Sequence, residues 1–162
     1  MLTEAPDGRL GAELGMILTG LNRNERELAA AFEQGFSSSV GSERLVREEI
    51  GSTVDKVRAV HAVESMQSRG IRVFLVHVYG LNAACLEKIA DADGYFIVEG
   101  YSAFSFSPDH LLLSIEDDYA AALARLLQNM DGPGVPFSLP GKLVPGPLVR
   151  QETSSAEEPA AR

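Results

Sequence analysis

Between residues 70 and 118 the chain switches repeatedly between two hydrophobic periods. Residues 71–79 (Ile-Arg-Val-Phe-Leu-Val-His-Val-Tyr) form a run rich in β-branched and aromatic side chains, the composition of a buried strand. Residues 82–92 follow with a helical pattern, and strand-type runs return at 95–99 and 111–115. The acidic trio Glu116-Asp117-Asp118 then suits the N-terminal dipole of a further helix carrying Tyr119, Leu123, Leu126 and Leu127. This strand–helix–strand–strand–helix order predicts an α+β domain whose helices pack on a small sheet of three to five strands. A ferredoxin-like sandwich fits it best, and a short three-layer α/β domain is the alternative.

The patterns before residue 70 are less regular. Leu10, Leu14, Ile17, Leu18 and Leu21 keep helical spacing, but Gly11, Gly15 and Gly20 weaken a helix there, so a strand through 14–19 competes. Asn24 and Glu27 have the spacing of a capping box, predicting a helix through Leu28, Ala31 and Phe32 that stops at Gly35, with 36–41 as a loop. Residues 42–69 are the longest helical candidate, with Val46, Ile50, Val54, Val57, Val60, Val63 and Met66 on one stripe. Unbroken, it would span about 40 Å, too long for a small domain. Gly51-Ser52 interrupts it, and Ser52 with Asp55 offers a second N-cap. One helix and two helices both remain open.

Beyond Met130 the composition shifts, and six of the eight prolines fall there. Proline removes a backbone donor and fixes φ, which argues against regular hydrogen-bonded structure. Yet Val135, Phe137, Leu139, Leu143, Val144, Leu148 and Val149 argue against a free linker. The expected organisation is one domain over 1–130, a docked arm over 131–150 and a disordered tail over 151–162.

Charge narrows the choice of partner. The net charge is −9, and residues 70–130 hold only Arg72, Lys88 and Arg125 as cations against eight acids. Such a surface cannot neutralise phosphates, so neither nucleic acid nor an anionic membrane is an expected partner. No apolar run reaches the roughly 18 residues of a membrane helix, and the N-terminus lacks the basic region of a secretory signal. The single cysteine excludes an internal disulfide, and the expected compartment is the cytoplasm.

Candidate chemistry is sparse. Cys85 would sit in the first turn of the helix capped by Asn82, where the dipole favours a thiolate, and His77 ends the strand before it. Gly100-Tyr101-Ser102-Ala103-Phe104 fails as a nucleophile elbow because Phe104 stands where glycine is required. His61, His77 and His110 have no metal-ligand spacing, and Asp91-x-Asp93-Gly94 lacks the rest of a calcium loop. Gly141-Lys142 lacks the P-loop glycine and hydroxyl. No cofactor is expected. The aromatics concentrate instead, with Tyr95, Phe96, Tyr101, Phe104 and Phe106 in twelve positions. Tyr79, Tyr95, Tyr101, Phe104 and Phe106 are the candidate ligand or interface set.

These features point to a non-catalytic regulatory or protein-interaction module that self-associates as a homodimer or larger homo-oligomer. Another protein is a further possible partner. The alternatives are a small thiol-dependent enzyme using Cys85 with His77, and a small-ligand sensor with an aromatic pocket.

Overall fold

The computed structural model describes residues 13–40, 44–99, 107–117 and 141–147. Six strands join in one sheet: β1 (Leu14–Leu18), β2 (Leu45–Glu49), β3 (Val73–His77), β4 (Tyr95–Glu99), β5 (Leu111–Asp117) and β6 (Gly141–Pro145). Their spatial order is β2-β1-β3-β4-β5-β6. Every pairing is parallel except that of β5 with β6. Three α-helices are described: α1 (Arg23–Val40), α2 (Lys56–Ser68) and α3 (Asn82–Ala90).

The helices cover both faces of the sheet. Leu14, Met16, Leu18, Val73, Leu75 and Ile97 pack with Ala29, Phe32 and Phe36 of α1. Ile17, Phe74, Val76, Phe96 and Val98 pack with Ala59, Val63 and Met66 of α2 and with Cys85, Leu86 and Ile89 of α3. β1 and β3 are buried along their whole length, the expected state of parallel strands covered on both sides. A mixed fold of helices on a sheet therefore forms. The ferredoxin-like arrangement does not, because its sheet is antiparallel and this one has six strands, all parallel but for the β5–β6 pair. The three-layer α/β alternative describes the layers.

Several local expectations are corrected. Residues 14–18 take the strand reading, and β1 lies central in the sheet, between β2 and β3. α1 is capped by Asn22, whose Oδ1 accepts from the Glu25 amide at 2.8 Å, and it runs past Gly35 to Val40. The 42–69 stripe divides into β2 and α2, so Val46 lies on a strand. Asp55 caps α2 by accepting from the Arg58 amide at 2.9 Å, and the Ser52 hydroxyl accepts from Val54 and Asp55 just ahead of it. Glu116 and Asp117 end β5 and do not open a helix; the helix expected after them lies outside the described residues. Within the proline-rich segment, 141–145 pairs antiparallel with β5, Pro145 standing opposite Leu113 at its end. An edge strand tolerates proline at its terminus, which the expectation of no regular structure overlooked. Among the described residues no helix is long and apolar enough to cross a membrane.

Candidate functional site

In a parallel sheet of this kind, the chain leaves neighbouring strands in opposite directions at one point, and their carboxyl ends open a crevice there. Here that point lies between β1 and β3: α1 carries the chain outward from β1 to the edge strand β2, whereas α3 carries it from β3 to β4. The residues leaving these strands are Thr19 to Asn22 and Val78 to Leu81.

The loop after β1 is fixed by one carboxylate. Glu25, in the first turn of α1, is buried. It accepts the Thr19 hydroxyl at 2.7 and 2.6 Å, the Leu21 amide at 3.1 Å and, at short range, the Thr19 amide. Burial alone would raise its pKa. The Thr19 hydroxyl and the amides of Gly20, Thr19 and Leu21 outweigh burial and hold the carboxyl below its ordinary value. The loop after β3 is pinned too: the Val78 amide donates to Asn82 Oδ1 at 2.9 Å and the Leu81 amide to the Val78 carbonyl at 2.9 Å. Gly20 and Gly80 take φ of +75° and +74°, which side chains rarely adopt. The two loops meet through the strands, because the Thr19 amide also donates to the His77 carbonyl at 3.3 Å.

His77 ends β3 on the α1 face, two residues beyond Leu75, and is 4% exposed. Its Nδ1 lies 2.5 Å from Oε2 of Glu99, the last residue of the neighbouring strand β4. The Tyr79 ring meets the imidazole edge-on, with centroids 4.7 Å apart and planes at 74°. His77 Nε2 is buried and has no hydrogen-bond partner among the described residues. A buried polar atom in that state costs free energy that a partner would restore.

Cys85 lies on the other face. It is fully buried against the α2–α3 core, and burial pushes its thiol up to about 11. Its backbone amide is spent on the Leu81 carbonyl at 3.2 Å, and Leu81, not Asn82, holds the N-cap position. The sheet thus separates Cys85 from His77, and a thiolate activated by that histidine is not what the geometry provides.

The aromatic set is divided as well. Tyr79 lies at the carboxyl end of the sheet, 47% exposed. Tyr95 starts β4 at the opposite end, half-buried, 6.1 Å from the ring of His110. His110 in turn places Nδ1 2.8 Å from the Gly94 carbonyl. Tyr101, Phe104 and Phe106 lie outside the described residues. Among the described residues no cluster of three or more His, Cys, Asp or Glu could hold a metal ion.

Thr19, Glu25 and Glu99 escaped the sequence reading. Glu99 carried one usable signal, a lone acid ending an apolar strand run.

No protein-family model matches the chain, and no curated protein sequence does. Solved structures do. The glucose-galactose binding protein GanP from Geobacillus stearothermophilus aligns with a TM-score of 0.57 at 15% identity, over 86% of this chain and 55% of that one. A transcriptional activator of the comK gene from Bacillus halodurans aligns with a TM-score of 0.62 at 18% identity, over 88% of this chain and 54% of the other. The likeness is one of α/β fold, and this chain spans about half the length of each.

Proposed function

We propose that this chain is a non-catalytic regulatory module that binds a small molecule at the carboxyl edge of its sheet, between β1 and β3. One observation carries the reading: His77 Nε2 is buried without a partner among the described residues, at the carboxyl end of β3 beside the point where sheets of this order receive ligands. The pinned loops around it support the reading, since a binding site needs side chains held in place before the ligand arrives. So do the two neighbours, one that binds glucose and galactose and one that activates transcription. A nucleophile is not part of this proposal, because Cys85 is protonated and on the wrong face.

Self-association is the second reading, favoured by the distribution of exposed apolar side chains. Leu21, Val54, Val57 and Tyr79 are large, exposed and follow β1, β2 and β3 at the same carboxyl end. A rim of that kind suits a second copy closing over the crevice.

Native mass spectrometry beside a denatured spectrum tests both. A native-only increment of small-molecule mass supports ligand binding, and a doubled mass supports self-association. A bare monomer that gains neither mass nor thermal stability from a broad metabolite library overturns the ligand reading.

A further inference from the structure

Resting on that reading of the site, we infer that the group recognised at His77 is a hydroxyl of a neutral, polyhydroxylated small molecule, donated to Nε2. The Glu99 carboxylate can only accept, so it selects the ring form with the proton on Nδ1. With the ring neutral, Nε2 is then a bare acceptor, and the group that completes that form is a donor. Glu99, with its side chain 34% exposed, sets a second acceptor beside it at the end of the adjacent strand. Two neighbouring acceptors on parallel strands match two hydroxyls of one molecule.

The alternatives meet physical objections. A carboxylate or phosphate brings further acceptors and would leave Nε2 unmatched against a neighbouring negative charge. An ammonium has donors, but to reach a buried nitrogen it must shed its water, at a far heavier cost than a neutral hydroxyl. Because Nε2 is buried in the free chain, entry of the hydroxyl requires a neighbouring side chain to shift, and the half-exposed Tyr79 ring packs against the imidazole. Tyr79 follows His77 by two residues and precedes Gly80, where the backbone already has a positive φ.

The test is a titration of the full chain, labelled with ¹⁵N-histidine, with three neutral probes (D-glucose, D-galactose, myo-inositol), two anions (citrate, inorganic phosphate) and one diamine (putrescine). The imidazole ¹⁵N shifts distinguish a bare from a hydrogen-bonded Nε2, and His77→Phe assigns the signal. The expected result is that a neutral probe moves the His77 Nε2 resonance and that its fully O-methylated counterpart, which accepts but cannot donate, does not. His77→Phe then weakens binding of that probe by about tenfold, the loss of one well-placed hydrogen bond. Glu99→Ala, at a partly exposed position, weakens it in the same direction and returns the ring to a mixture of proton positions. If citrate, phosphate or putrescine moves Nε2 and no neutral probe does, the hydroxyl assignment is wrong while the site stands. If the O-methylated probe binds equally well, the assignment is also wrong. If no probe perturbs His77 at all, both the assignment and the site are overturned.

Discussion

Glu25 and Thr19 hold each other at the point where β1 gives way to α1: the hydroxyl reaches both carboxylate oxygens, and the Thr19 amide reaches one of them. The carboxylate is buried and already engaged inside the chain, so its work is to fix the loop that leaves β1 at the carboxyl edge of the sheet.

That pairing sets a pH dependence. The folded pKa of Glu25 lies below its ordinary value, and an unfolded glutamate titrates near about 4.3. The stabilisation is therefore complete above about pH 4.3 and disappears as pH falls through the lower folded value. Glu25→Gln should lose about 2–3 kcal/mol at pH 7, because two accepting oxygens become one and buried donors are stranded. Denaturant unfolding of both proteins from pH 7 to pH 3 checks this. The gap between them should narrow toward the acid end, and a constant gap would refute the assignment.

A second prediction concerns packing. Gly15 stands opposite Phe74 in the β1–β3 register. A Cβ there would lie 2.7 Å from Met66 Sδ and 2.9 Å from Phe74 Cδ1. Gly15→Ala should cost about 1–3 kcal/mol by overpacking. Phe74→Leu alone should also destabilise, but the double mutant should fall short of the sum by more than about 0.5 kcal/mol, because the two sites share one space. A strictly additive cycle would show that the contact relaxes elsewhere.

How far the sequence revealed this arrangement depends on the kind of signal each residue left. β3, α3 and β4 were legible because a strand-type run, a helical run and a second strand-type run are separated by short loops. β2 was not, since Val46 and Ile50 keep helical spacing, and only pairing with β1 makes 45–49 extended. Strand order was invisible for the same reason: parallel neighbours are joined through long crossovers, and no local residue records which edge a strand occupies. The candidate site was legible at His77 and Tyr79 alone. Cys85 misled because its position in the first turn of α3 favours a thiolate, whereas its direction, into the core, decides the opposite. Glu25 and Glu99 act through residues distant in sequence, which no spacing rule links to them.

The core position of Cys85 yields a third prediction. With its thiol pushed up to about 11 against about 8.5 for a free cysteine, the thiolate at pH 7.5 is about 300-fold scarcer. Burial slows attack further. Alkylation by iodoacetamide under native conditions should therefore be at least that much slower than in guanidinium. Cys85→Ala should cost only about 1–2 kcal/mol, as a small cavity does. Rapid native labelling would return Cys85 to the list of reactive groups.

The last prediction tests whether β6 belongs to the sheet. Gly146 follows β6 directly and donates its amide to the Leu112 carbonyl at 2.8 Å. A Cβ at that position would lie 2.7 Å from the Leu111 carbonyl carbon and collide with the carbonyl oxygen itself. Backbone cannot yield there as the end of a side chain can, so Gly146→Ala should detach the strand. The amides pairing β5 with β6, over the register Leu113–Pro145 to Asp117–Gly141, should then exchange with solvent faster. Those of β1 and β3, buried in the middle of the sheet, should keep their protection. The global loss should be about 1–3 kcal/mol, the scale of overpacking. Hydrogen exchange read by mass spectrometry separates the outcomes. Faster exchange confined to 111–117 and 141–146 means that β6 is held to the sheet through this close approach. Unchanged exchange in both segments means that the strand pairs without it.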